Sequence, residues 1–189
     1  MARSILFWRR TDVESLERLE LQVETDCVKA VSTVVSAEAG GFRLDHSWLL
    51  QPDWRARSVT VERWNSQGHG ILVLERAGTG WRVNGVPRPD LEGADEPDLS
   101  VTPFCNTIPI LRTPPQTGES LKLDTAFIDG PALTVQRSSQ RYDRLAPRRL
   151  KYVDLGLSTG FEADLCVDEA GLVLSYEHLF ERVAPPTAI

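Results

Sequence analysis

The residues of this chain that could do chemistry lie on predicted strands and not in a common catalytic motif. The sequence contains no GxSxG, no HExxH, no phosphate-binding loop and no Cys-His pair at metal spacing. In the segment WRARSVTVERW (54–64), period-two alternation places Trp54, Glu62 and Trp64 on one face beside small hydroxyl side chains. Aromatic rings beside a few polar groups are typical of a concave ligand site. We therefore expect a ligand-binding face here, with ordinary core tryptophans as the alternative.

A second unusual strand is ALTVQRSSQRYDRL (132–145), which begins apolar on one face and then becomes polar on both. A packed interior would leave many of these polar groups without hydrogen-bond partners. We therefore expect a curved sheet around a partly wet cavity. In that cavity Arg141 would pair with a phosphate or carboxylate head group, and Tyr142 would form a hydrogen bond.

The three histidines are far apart in the sequence and form no motif. His69 lies in a Gly-flanked turn, where we expect a solvated side chain. His46 shares a strand face with Leu44 and Trp48, so we expect a hydrogen-bonded core or cavity histidine there and not a general base. The sequence indicates no cofactor and no metal.

Composition and length limit the functional classes. The 189 residues carry 27 acidic and 21 basic side chains, and the resulting net charge of −6 makes nucleic acid an unsuitable partner. Three cysteines without a CxxC fit a reducing compartment. The sequence shows no signal-peptide pattern and no apolar run of membrane-helix length, so we expect a cytoplasmic protein without stable membrane insertion. We expect one domain, 1–183, and a flexible tail, 184–189.

Period-two alternation dominates the sequence and indicates a mainly β fold. In GFEADLCVD (160–168), for example, the apolar residues fall on one face and the acidic residues on the other. Turn-rich stretches separate the predicted strands, which span 4–9, 16–24, 28–38, 42–51, 54–64, 70–77, 81–84, 119–129, 132–144, 148–155, 160–168 and 172–176. Short connections between so many strands predict an antiparallel meander that must curl or close to protect its edges.

Residues 85–118 interrupt this pattern of strands and short turns, and they contain seven of the twelve prolines. Thr102 and Pro103 form a plausible helix start, so a short helix is predicted from Pro103 towards Ile108, ending before Pro109. Phe104 and Ile108 would pack on the sheet, and Asn106 would face either backbone or ligand. The acidic cluster in the same segment is interpreted as a solvated loop, in preference to a cation or glycosidase site; it consists of Glu92, Asp95, Glu96 and Asp98.

Four stretches carry a family resemblance: PDWRARSVTVERW (52–64), DLSVTPFCNTIPI (98–110), QRYDRL (140–145) and GFEADLCVDEAGLVLSYEHLFER (160–182). Together with the initial WRR (8–10), they resemble the putative glycolipid-binding proteins of bacteria. The resemblance implies a strongly curved antiparallel meander that forms a half-open barrel, with one or two short helical segments over the concave side, as in envelope lipoprotein and lipid carriers. Cys105 departs from the pattern, in which threonine or serine is expected.

The resulting hypothesis is a non-catalytic binding or carrier protein for an amphiphilic ligand, a lipid or glycolipid. The predicted ligand-binding residues are Trp54, Glu62, Trp64, Phe104, Asn106, Arg141 and Tyr142. Two alternatives stay open: a protein-interaction or homodimerisation module, and a hydrolase of a glycosyl or acyl bond that uses Glu62 or Asp98 as acid or base.

Overall fold

The computed structural model describes residues 2–184 and the backbone of residues 187–188. Most of these described residues form β-strands, and among them are one α-helix and two single-turn 3-10 helices at Glu38–Gly40 and Pro89–Leu91. The strands are β1 (Ala2–Arg10), β2 (Ser15–Val23), β3 (Val28–Ser36), β4 (Phe42–Leu50), β5 (Ala56–Asn65), β6 (Gly68–Ala77), β7 (Gly80–Val83), β8 (Val86–Arg88), β9 (Glu96–Leu99), β10 (Ser120–Asp129), β11 (Thr134–Ala146), β12 (Arg149–Asp154), β13 (Glu162–Val167), β14 (Val173–Tyr176), β15 (Phe180–Arg182) and β16 (Thr187–Ala188). The helix α1 spans Phe104–Arg112.

All strands belong to one sheet, as the meander pattern predicts. Strands β1 to β8 follow one another as hairpins in one direction from β1, and β15 back to β10 follow in the other. The first and last parts of the chain meet where β1 pairs with β15, through Trp8 and Arg182. The sheet remains open, because its end strands are β8 and β9 and these do not pair with each other. The predicted fold class is thus confirmed.

The sheet curls until its end strand β9 lies against β5 and β6. Strand β9 is parallel to β10, whereas the other neighbours are antiparallel. The buried Glu96 carboxylate of β9 accepts a hydrogen bond of 2.9 Å from the Ala56 amide and pairs with Arg76, 3.5 Å away, and with Arg112 of α1. This carboxylate therefore connects β9, at one end of the sheet, with the helix and with β5 and β6, near the other end.

Two hydrophobic clusters fill the curled sheet. The first lies mainly between strands β1 to β7 and the strands β9 and β10, and it includes Phe104 and Ile108 of α1. The second lies against β10 to β15 and includes Ile110 of the same helix. Alternation along β13 is as predicted, with Ala163, Leu165 and Val167 buried. The helix thus lies between the two clusters and packs against both.

Two local predictions are wrong. Strand β5 starts at Ala56, and a bulge at Arg57 pairs Leu50 with Ala56 but Leu49 with Ser58. The extra residue moves the buried face to Val59 and Val61, so the residues from 54 to 64 do not share one face as simple alternation requires. The helix also continues through Pro109, because buried side chains on both sides of the proline outweigh its local cost of about 3 kcal/mol.

The predicted tail, 184–189, lies largely outside the described residues. Within it, the backbone of Thr187–Ala188 pairs with Ser4 and Ile5 of β1. Among the described residues, no helix combines the length and the apolar content needed to cross a bilayer.

Candidate functional site

A partly enclosed cavity of about 260 Å³ lies between the start of α1 and the strands β9, β10, β12, β14 and β15. Its lining combines aromatic rings with polar side chains. The aromatic lining residues are Phe127, Tyr152, Phe161, Tyr176 and Phe180, and the main polar ones are Asp98, Ser100, Thr102, Cys105, Asn106, Asp154 and Ser158. This combination of apolar walls and a few polar groups is what a small-molecule site requires.

Four of the rings form a continuous concave wall. The ring centre of Tyr152 lies 5.4 Å from that of Tyr176 and 6.1 Å from that of Phe161. Tyr176 in turn lies 6.3 Å from Phe180. The rings are tilted by 36° to 59° to one another, as is common for packed aromatic side chains, and each of them also lines the cavity.

Asp98 and Cys105 form a hydrogen-bonded pair on the polar side of the cavity. The Cys105 thiol donates to Asp98 Oδ1 across 2.9 Å. The pKa of Asp98 is raised to about 6, chiefly by burial and to a smaller extent by the nearby Asp154 carboxylate, while the thiol hydrogen bond opposes the rise. Burial also raises the pKa of Cys105 well above its ordinary value. Cys105 is therefore a neutral hydrogen-bond donor and not an activated nucleophile.

Asp154 supplies the second carboxylate and holds the loop at the cavity mouth. Its Oδ1 accepts hydrogen bonds from the amides of Gly156 and Ser158, at 2.8 and 3.0 Å. Its Oδ2 lies 3.5 Å from the Tyr152 hydroxyl. The cavity thus has two carboxylates near each other, one of them fixed by loop amides.

Asn106 of α1 lines the cavity, and its side chain is hydrogen-bonded to Tyr142, which lies outside the lining. The Tyr142 hydroxyl donates to Asn106 Oδ1 across 2.7 Å and accepts a hydrogen bond of 3.0 Å from Gln140. The Tyr152 hydroxyl donates to the other end of the Gln140 amide across 3.2 Å. This buried chain connects the helix to the aromatic wall and fixes the orientation of the Asn106 amide.

Thr102 lines the cavity and also belongs to a buried hydrogen-bond network around the Glu17 carboxylate. Its hydroxyl donates to Glu17 Oε1 across 2.9 Å and accepts the Phe104 amide at 3.1 Å. The same Glu17 oxygen accepts hydrogen bonds from Ser32 and His46. His46 is 2% exposed and its Nδ1 accepts the Trp48 indole N–H across 2.8 Å. The expectation of a hydrogen-bonded core histidine is therefore confirmed.

Two of the predicted ligand-binding residues lie at the cavity, and two others lie in or against the first hydrophobic cluster. Asn106 lines the cavity and Tyr142 supports it from behind. Phe104 is fully buried in the first cluster, where its ring centre lies 5.7 Å from that of Trp48. Trp54 precedes β5 in a turn and is partly buried against the same cluster.

The other predicted residues lie on outer surfaces away from the cavity lining. Trp64 stacks on His69, with ring centres 4.7 Å apart, and carries Arg43 at 4.7 Å from its ring centre. Glu62 lies 3.2 Å from His69, and Arg141 pairs with Asp143. Polar groups of 54–64 and 132–145 thus find partners among surface side chains, as for Glu62 and Arg141, or in buried hydrogen bonds, as for Gln140. The predicted ligand roles of these residues stay predictions.

Asp154, Tyr152 and Tyr176 line the cavity but were not predicted from the sequence. Asp98 was predicted to lie in a solvated loop. That assignment is wrong for Asp98, which lines the cavity, and for Glu96, which is 1% exposed. Asp154 had a recognisable signal, because an aspartate that ends a strand before a Gly- and Ser-containing turn commonly caps the turn amides. No comparable signal identifies Tyr152 or Tyr176, since buried tyrosines occur in many cores.

A group of metal-compatible atoms occurs elsewhere, in the turn between β2 and β3. One ligand atom each from Glu24, Asp26 and Cys27 lies within 4.8 Å of the others. Glu24 already accepts hydrogen bonds from Cys27 and Lys29. These local partners account for the arrangement without a metal.

The fold and the cavity define an open antiparallel β-sheet protein with an aromatic-walled site beneath one helix. The sequence profile of the family described as "Putative glycolipid-binding" matches residues 5–182. The chain belongs to this family. A comparison with curated proteins gave no match.

A solved structure supports the same assignment. The crystal structure of a DUF1089 family protein from Pseudomonas aeruginosa is 30% identical and superimposes with a TM-score of 0.79. The similarity covers 88% of this chain and 92% of the other. The two proteins therefore share nearly the whole fold.

Proposed function

We propose that this protein binds an amphiphilic ligand, a lipid or glycolipid, and holds the polar head of the ligand in the cavity. The observation that carries this proposal is a cavity lined by aromatic rings together with Asp98, Asn106 and Asp154. Rings pack on the apolar faces of a sugar or other head group, carboxylate oxygens accept hydrogen bonds from it, and the N–H group of the Asn106 amide can donate to it. The description of the family agrees with this class of ligand.

The size of the cavity decides which part of the ligand it holds. Its volume of about 260 Å³ lies just below the usual range of about 300–1,000 Å³ for drug-sized ligands. A whole lipid with its acyl chains does not fit in this space. The head group therefore occupies the cavity, and the chains extend into solvent past the exposed Ser158 at its mouth.

Hydrolysis of a glycosyl bond is the second candidate function, and Asp98 is the observation that favours it. A carboxyl group with a pKa of about 6 is suited to donate a proton near neutral pH. Binding is preferred, because Oδ1 of Asp154, the second carboxylate, is engaged by two loop amides. Release of nitrophenol from p-nitrophenyl glycosides that stops in Asp98→Asn would establish hydrolysis instead.

We also propose that the protein resides in a reducing compartment and that it can form a homodimer. Cys27, Cys105 and Cys166 are all free thiols, as expected where disulfides do not persist. Light scattering on the purified protein measures the oligomeric state directly.

The direct test is to extract the purified protein with organic solvent and to identify bound amphiphiles by mass spectrometry. Ser158 is exposed at the cavity mouth, so Ser158→Trp should plug the site without disturbing the core. Leu157→Trp adds the same ring to the same loop outside the lining and is the matched control. Amphiphile recovered from the wild type and the control but not from Ser158→Trp supports the proposal. Equal recovery from all three, or no recovery together with no thermal shift from a lipid panel, rejects it.

A further inference from the structure

No described residue balances the charge of the carboxylates in the cavity lining. Asp98 and Asp154 both line it, and neither forms an ion pair with any described residue. The lining contains no lysine, arginine or histidine. By contrast, the buried carboxylate of Glu96 has Arg76 and Arg112 as partners. A buried carboxylate without a counter-charge is costly, and a bound cation would offset that cost.

A nearby arginine does not supply the missing charge. The guanidinium of Arg10 lies 5.8 Å from the ring centre of Phe180. It forms ion pairs with Asp12, at 2.6 Å, and with Glu38, at 2.5 Å. Its charge is therefore already compensated outside the cavity lining.

The other titratable groups that face Asp98 stay neutral. Burial raises the pKa of the Cys105 thiol from α1 and of the Tyr142 hydroxyl from β11. Burial likewise raises the pKa of Tyr152 from β12 and of Tyr176 from β14. The charge of the site is thus set by Asp98 and by its neighbour Asp154.

The aromatic wall offers the complementary interaction for a cation. The faces of Tyr and Phe rings attract ammonium groups within about 6 Å of the ring centre, most strongly where water is excluded. The rings of Tyr152, Phe161 and Tyr176 all lie within 6.3 Å of one another and are mutually tilted by 56° to 59°. Rings in this arrangement can present faces to one enclosed group from several directions.

We propose that the head group bound in this cavity carries an ammonium group, as in an amino sugar or an amine-bearing lipid. The carboxylates of Asp98 and Asp154 pair with the charge, the rings enclose its alkyl surface, and a phosphate head is repelled. This inference rests on the proposed function and narrows it to one class of head group. It differs from the anionic head group with which Arg141 would pair; Arg141 is paired with Asp143 outside the lining.

The test compares two probes that differ at one position of the sugar: octyl β-D-glucoside and its 2-amino-2-deoxy analogue. Below their micelle concentrations and near pH 7, calorimetry should show at least about tenfold tighter binding of the amino glycoside. This preference should fall to less than about threefold in Asp98→Asn and persist in Glu75→Gln, which removes an exposed carboxylate elsewhere. In the wild type it should also shrink at about pH 5, where Asp98 is protonated.

The outcomes separate this inference from the proposed function. If both probes bind with equal affinity, or the neutral glycoside binds more tightly, the ammonium inference is overturned while head-group binding stands. If an octyl phosphate probe binds more tightly than either, the inference is likewise overturned. If no probe binds, the proposed function fails and this inference fails with it. The comparison of two pH values in the wild type tests the role of Asp98 even if Asp98→Asn does not fold.

Discussion

Tyr142 on β11 donates a hydrogen bond of 2.7 Å to the side-chain oxygen of Asn106 on α1, in a region where both residues are almost fully buried. This bond fixes the helix to the second half of the sheet. It also turns the Asn106 amide towards the cavity, because the amide oxygen is held from behind. The position of the site therefore depends on a contact between two segments 36 residues apart.

Removing the Tyr142 hydroxyl should destabilise the protein. Tyr142→Phe leaves Asn106 Oδ1 and the Gln140 amide without their partner, at an expected cost of about 2–3 kcal/mol. Tyr152→Phe, which loses only longer hydrogen bonds beside the cavity, should cost about 1 kcal/mol or less. Urea unfolding of both variants measures the difference. Equal losses would show that the Tyr142–Asn106 contact has no special role.

The pKa of Asp98 predicts a pH-dependent stability. A folded pKa of about 6 against an ordinary value of 3.8 corresponds to about 3 kcal/mol, and access of Asp98 to the cavity reduces this to about 1–2 kcal/mol. Because the folded-state pKa is raised, this contribution is complete below about pH 4 and is lost as the pH rises through 6.

The variant Asp98→Asn isolates this contribution, because its amide oxygen can still accept the Cys105 hydrogen bond. Relative to Asp98→Asn, the wild type should lose about 1–2 kcal/mol of unfolding free energy between about pH 4 and pH 7. Denaturant unfolding at the two pH values measures this. Parallel pH profiles for the two proteins would contradict the assigned pKa.

The loop at the cavity mouth, which follows β12, should not tolerate a larger residue at Gly156. A Cβ at this position would lie 2.7 Å from the Ser139 amide nitrogen and also too close to Ser138 Oγ. Gly156→Ala should therefore cost about 1–3 kcal/mol through overpacking. Gly80→Ala, whose new Cβ would meet its nearest atoms at 4.0 Å, is the matched control and should change stability little. A neutral Gly156→Ala would show that this loop is not closely packed on β11.

Cys105 should be chemically inert in the folded protein. It is 4% exposed and burial raises its pKa well above the ordinary value, so little thiolate is present. Near pH 8, iodoacetamide should label the partly exposed Cys166 at least about ten times faster than Cys105, as measured by peptide mass spectrometry. In guanidinium the rates should converge. Comparable labelling of both thiols in the folded protein would indicate a reactive Cys105.

The sequence was most informative about strands and least informative about which strands meet. Alternation located β13 and the buried faces of Ala163 and Leu165, because side-chain period depends only on local backbone geometry. The bulge at Arg57 and the parallel pairing of β9 with β10 are set by tertiary packing, so no local pattern revealed them. The pairing of β9 is also what places Asp98 beside Phe127 in the cavity.

The candidate site was only partly predictable for the same reason. Asn106 was identified from its position in an unusual Pro-rich segment and Tyr142 from its polar strand. The other polar groups of that strand, such as Arg141, face surface partners, which strand polarity alone does not distinguish from a cavity. Asp154 and Tyr176 join the site through contacts between distant strands. The turn after Asp154 indicates a capping role but not a place in the site, and Tyr176 has no signal of its own.

The most direct measurement of the central claim is calorimetric titration with octyl β-D-glucoside and its 2-amino analogue on three proteins: wild type, Ser158→Trp and Leu157→Trp. Plugging the mouth at Ser158 should weaken binding at least about tenfold, while the same ring at Leu157 should leave it nearly unchanged. We expect one saturable site per chain in the wild type and in Leu157→Trp. No binding to the wild type, or equal binding to all three proteins, would contradict the proposed site.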